Sequence, residues 1–157
     1  MRERWQKFMG QGDDFGDQYQ RPGGQWSTKP GDEWQQYMDY YLMGSGAFSS
    51  GVILDFEGRT LATSYDIQVT EKEGFLLGAL VDEPENLGSR SVRIGGNEYA
   101  NLGHEVRTLH GSNGFNGFLA AKSRTALVAC LYVEGQPRSD ASNVLEKFVD
   151  FLVKKGL

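Results

Sequence analysis

The chain has 157 residues and a net charge of −5, a length that suits one domain with or without a tail. With 39% apolar and 24% charged residues it is expected to fold as a globule. No apolar run reaches the roughly 18 residues that span a bilayer, and the acidic balance sets the chain against the phosphate backbone of nucleic acid. The first ten residues lack the apolar core of a secretory signal. The one cysteine, Cys130, excludes an intramolecular disulfide and a cysteine-rich zinc site, which fits a reducing, cytoplasmic compartment.

Composition changes sharply near Gly31. Residues 1–31 contain no Ala, Val, Ile or Leu, yet carry six Gly, five Gln and five aromatics, Trp5, Phe8, Phe15, Tyr19 and Trp26. Without aliphatic surface to offset its ordering entropy, this extension is expected to be a disordered arm. It carries +1, leaving −6 on residues 32–157.

Asp32 is placed to cap a first helix. Trp34, Tyr37, Met38, Tyr41 and Leu42 then recur at helical spacing on one face, and Gly44-Ser45-Gly46 ends the run. Ser50–Asp55 and Thr60–Ser64 read as a hairpin turning at Glu57-Gly58. Thr70-Glu71-Lys72-Glu73 is a capping box opening a second helix, which Asp82-Glu83-Pro84 stops. Short strands follow at Ser91–Ile94, Glu98–Leu102, Val106–His110, Phe118–Ala121 and Ala126–Tyr132. Their turns are expected at Gly95-Gly96, at Gly103, through Gly111–Gly117 and at Ser123-Arg124. A last helix runs from Ser139 or Asp140 to Lys155, with lysines in its final turn and Gly156 beyond it. It is apolar nearly all round, so one stripe is expected to pack on the sheet and another on the aromatic first helix. The order predicts an α+β sandwich on one meandering antiparallel sheet.

Four stretches of this body together resemble the profilin family: Glu33-Trp34-Gln35-Gln36-Tyr37-Met38-Asp39, Val52–Gly58, Leu80–Pro84 with Gly95–Tyr99, and Glu146–Leu157. The resemblance covers residues 32–157, a profilin domain behind the arm. It implies a central sheet of about six or seven strands, with the N- and C-terminal helices packed together on one face and a further helix on the other. It also implies monomeric actin as a partner on one face, proline-rich segments on another, regulation of actin filament assembly, no cofactor and a monomeric protein of the cytoskeleton.

By resemblance the polyproline groove comprises Trp34, Tyr37, Phe151 and Leu157. The chemistry fits, because a polyproline II helix suits a shallow groove of flat aromatic rings. Leu61 stands where many profilins have a second tryptophan, and Phe151 where Tyr or His is commoner, so binding is expected to be weak or to prefer long proline tracts. The actin face by position comprises Arg90, Glu98, Asn101, Arg107, Lys122 and Asn143, with Glu98 reversing a common Lys. Phosphoinositide binding is expected to be weak, since Thr108-Leu109 follow Arg107 where many plant-type relatives have Lys-Lys. The arm, tethered beside the groove at roughly millimolar effective concentration, is expected to compete with proline-rich ligands through its aromatics, Pro22 and Pro30.

His104, His110 and Cys130 form no familiar catalytic or metal motif, and the glycine-rich run from Gly111 opens no helix, so an enzyme is not expected. The alternative reading is a small sensory or scaffold domain of roadblock-, longin- or PAS-like architecture, acting through dimerisation or ligand binding.

Overall fold

In the computed structural model the described residues are 32–157 and two short antiparallel segments before them, Gln20–Arg21 and Gln25–Trp26. The expected disordered arm otherwise lies outside the described residues. Helix α1 spans Asp32–Tyr37, so Asp32 is its first helical residue and not the cap in front of it. A π-helical turn, Met38–Leu42, and a 3₁₀ turn, Met43–Ser45, carry the helix on to Gly46 at φ +78°. The wider π turn advances the phase of the helix. As a result Tyr40 joins Tyr37, Met38, Tyr41 and Leu42 in the core, a wider face than the expected stripe.

Seven strands follow: β1 (Ser50–Leu54), β2 (Thr60–Thr63), β3 (Val92–Ile94), β4 (Asn97–Glu105), β5 (Thr108–Asn113), β6 (Asn116–Lys122) and β7 (Leu127–Tyr132). They form one antiparallel sheet in the order β2-β1-β7-β6-β5-β4-β3. Helix α2 (Glu71–Asp82) lies between β2 and β3, and α3 (Arg138–Lys154) follows β7. The central strands are buried on both sides and read as continuous apolar runs. Ile53, Leu119, Ala121, Val128 and Cys130 point into one core with α1 and α3. Their neighbours Val52, Leu54, Phe118, Ala120, Leu127, Ala129 and Leu131 point into a second core with α2. The terminal helices therefore share one face and α2 covers the other.

Caps and clamps fix these elements. The capping box is complete, with Thr70 Oγ1 accepting from the Glu73 amide and Glu73 Oε1 from the Thr70 amide, both at 3.1 Å. The same Glu73 carboxylate accepts from the amides of Gly95 and Gly96, both at 3.1 Å, tying the β3–β4 turn to α2. At the sheet edge the Gln35 amide donates to the Thr63 carbonyl at 2.8 Å and accepts from the Thr63 amide at 3.2 Å, taking the place of a strand beside β2. Gly156 at φ +83° lets the Leu157 amide donate back to the Leu152 carbonyl at 2.8 Å, closing α3 as a Schellman turn.

Three strand and turn expectations are corrected, the first at Gly103, which lies inside β4 paired with His110 and not in a turn. Val106 belongs to a two-residue turn between the paired Glu105 and Thr108, and β5 begins only at Thr108. The Gly111–Gly117 run is mostly strand, with the turn confined to Gly114-Phe115. These glycines serve close packing: a Cβ on Gly111 would lie 2.6 Å from the Phe118 ring, and one on Gly117 2.5 Å from Tyr132 Cζ.

Candidate functional site

The seam between α1 and α3 gathers the groove residues expected from sequence. Trp34 meets Tyr37 edge-on with centroids 6.0 Å apart, and Tyr37 meets Phe151 at 5.4 Å and 86°. Leu157 packs on the same cluster, held because the Thr125 amide and the Ser123 hydroxyl donate to its carbonyl oxygen at 2.6 and 2.9 Å. Trp34, Phe151 and Leu157 are half-buried and form the accessible part. Tyr37 is only 1% exposed and lies as a floor against both rings. Its hydroxyl donates to Glu33 Oε2 at 2.7 Å. Burial, and then the hydrogen bond and charge of Glu33, push its phenol far above the usual range.

Sequence reasoning left Tyr41, Phe148 and Glu33 out of this site. Tyr41 belongs to it, 4.4 Å from the Phe151 centroid and 5.4 Å from Phe148. The signal was present in the spacing, since Glu33, Tyr37 and Tyr41 follow at intervals of four and share a helix face. Lys155 Nζ stands 5.7 Å from the Phe151 centroid and puts a cation at the rim. Leu61, in place of a second tryptophan, packs half-buried on the same core.

The six residues expected on the other face are carried by β4, the turn after it, β6, α3 and the segment before β3. Arg90 and Glu98 line a cleft of about 760 Å³ between α2 and β3, with Leu76 and Leu80 at its wall. Glu98 accepts from Ser91 Oγ at 2.6 Å. Asn101 sits at φ +53° where the β4–β5 register shifts, and donates to Ser112 Oγ at 3.2 Å. Arg107 lies in the turn that follows β4, at the opposite end of that strand from Asn97. Asn143 is exposed on α3, beside a small hollow shared with Ser45–Ala47 and Pro137.

Arg107 and Lys122 stand at the same end of adjacent strands, because Thr108 pairs with Ala121, yet their side chains diverge. Arg107 reaches α3, donating through Nε to Glu146 Oε1 at 2.7 Å. Its Nη2 donates to the Glu146 carbonyl at 3.0 Å and to Asp150 Oδ1 at 2.7 Å. Thr108 Oγ1 donates to the other Glu146 oxygen. Lys122 runs along α2, donating to Asp82 Oδ2 at 2.8 Å and standing 4.7 Å over the Phe56 ring. Both cations are therefore engaged within the fold.

Among the described residues, reactive side chains are not gathered into a comparable cluster. Cys130 is fully buried, which raises its thiol pKa and leaves it protonated. His110 is shifted down by burial, then by the neighbouring Arg138, against the pull of Glu105. Among the described residues no group of three His, Cys, Asp or Glu side chains is placed to hold a metal ion.

The family model for profilin matches residues 32–157. Profilin-1B of Acanthamoeba castellanii is 31% identical over 123 residues, covering 78% of this chain and 98% of that protein. The solved structure of Acanthamoeba castellanii profilin IA superposes with a TM-score of 0.74 at 30% identity, over 79% of this chain and 99% of that one. LokiProfilin2, solved in complex with rabbit actin, superposes at 0.61 over 78% of this chain and 97% of its own. At 19% identity that likeness is one of fold.

Proposed function

The chain belongs to the profilin family, which is non-enzymatic, and from that membership we propose that it binds monomeric actin on one surface and proline-rich segments on another, and so regulates filament assembly. The observation that carries the reading is the family match over the whole body, residues 32–157. The aromatic seam of α1 and α3 supports the proline part: Trp34 and Phe151 are half-buried rings that both meet Tyr37 edge-on, and Lys155 stands at the rim. The solved complex of LokiProfilin2 with rabbit actin supports the actin part by kinship of fold. On this reading Arg90, Glu98, Asn101 and Asn143 are the exposed groups able to meet actin directly, whereas Arg107 and Lys122, engaged with α3 and α2, shape the surface from within.

With the family established, a roadblock-, longin- or PAS-like identity falls away. The protein acts as a monomer in the cytoplasm, beside the cytoskeleton, and phosphoinositides bind weakly. The arm competes for the seam to which it is tethered. Titrating fluorescently labelled rabbit actin monomers with the full chain tests the reading, which expects a saturable change. A flat titration with the fold intact overturns it.

A further inference from the structure

Among the described residues nine have positive φ; seven are Gly, and the others are Asn101 and Val106. Asn tolerates this region of backbone space, but a β-branched side chain there is a genuine outlier. Val106 is the first residue of a two-residue hairpin turn, at φ +56°, while Arg107 beside it has no positive φ. That is the pattern of a type II′ turn, whose first position ordinarily takes Gly. The fold draws no packing from the valine, whose side chain stands 97% exposed at the tip. The turn is held onto α3 through Arg107, which reaches Glu146 and Asp150 at 2.7 Å each, while on its other side Glu105 stands 3.5 Å from Arg138 in an exposed pair.

From these observations we propose that Val106 is an apolar contact residue of the actin-binding surface, a rigid knob that seats in an apolar hollow on the actin monomer. This inference rests on the reading above that the chain binds actin. A strained residue that gives the free fold nothing is accounted for by a contact made outside it. The charges around it are paired within the chain, so the tip presents apolar surface with few groups seeking a counter-charge. Because the turn is held in place, docking it orders little and burial of the side chain is realised as affinity.

The test is a pair of variants, Val106→Asn and Val106→Gly, read by thermal unfolding and by titration of labelled rabbit actin monomers. Both relieve the backbone, so Tm is expected to rise by a few degrees. Both remove the knob, so Kd for actin is expected to weaken about tenfold. Stability and affinity moving in opposite directions is a result that a merely structural role does not give. Unchanged affinity in both variants, beside a wild type that binds, overturns the inference and leaves the actin reading standing. A fall in Tm overturns it as well, since the valine would then serve the fold. A wild-type chain that leaves actin monomers unbound removes the reading, and the inference with it.

Discussion

Arg107 offers the sharpest separation of a structural role from a partner-binding one. Its side chain is 33% exposed, Glu146 is 34% and Asp150 60%. The half-buried link to Glu146, strengthened by a second bond to the carbonyl of the same residue, is worth about 1.5 kcal/mol. The more exposed link to Asp150 adds about 0.5 kcal/mol after solvent screening. Arg107→Ala is therefore expected to cost about 2 kcal/mol, which lowers Tm by about 6–8 °C for a body of this size. Circular dichroism melts of wild type, Arg107→Ala, Glu146→Gln and the double variant check the number. The cycle should return a coupling energy of about 1 kcal/mol. Arg107→Lys, which keeps the charge and loses the fork, should recover less than half the loss. A Tm within a degree of wild type, together with slower association with actin, would refute the reasoning and return Arg107 to the role of a free rim charge.

Two further outcomes are expected. An oligoproline titration followed by tryptophan fluorescence should saturate in the full chain and tighten severalfold in a chain starting at Gly31, in which Trp34 is the remaining tryptophan; an equal affinity in the two would dismiss competition by the arm. Stability should fall as pH drops below about 6.5, the ordinary histidine value, because burial, then Arg138, holds the folded His110 below it, with His104 adding to the shift and Glu105 opposing it. The unfolded chain then binds the extra proton, and the loss continues as pH falls through the folded value. His110→Gln should flatten the dependence of Tm on pH between 7.5 and 5, in about that range, and a profile identical to wild type would refute this.

Much of the architecture was legible in the sequence because the local signals and the global packing agree. The spacing of Trp34, Tyr37 and Tyr41 put three rings on one helix face, and the apolar all-round character of Val144–Val153 called for a second partner besides the sheet. Thr70 with Glu73 announced the start of α2 to the residue. Strand limits were harder where glycine has two uses. Gly95-Gly96 does turn the chain, whereas Gly111 and Gly117 make room for Phe118 and Tyr132 inside strands, and no single-sequence signal separates the two. The π turn at Met38–Leu42 was illegible for a similar reason, since it changes the phase of a helix without changing its residue types. The positions of the groove aromatics were carried by resemblance and are met together at the seam, but the pairing of Tyr37 with Glu33 and its burial depend on tertiary contact. The basic residues were legible as charges and not as partners. That Arg107 and Lys122 spend their charge on α3 and α2 follows from how the helices dock on opposite faces.

The central claim is that this profilin holds actin and a proline-rich segment on separate surfaces, and simultaneous binding tests it most directly. Labelled rabbit actin monomers would be titrated with the full chain, first alone and then with oligoproline at saturation. The account predicts the same actin affinity in both titrations, and in Trp34→Ala a loss of the oligoproline response with actin binding retained. Displacement of actin by oligoproline, or the absence of binding to either ligand by the folded chain, would contradict it.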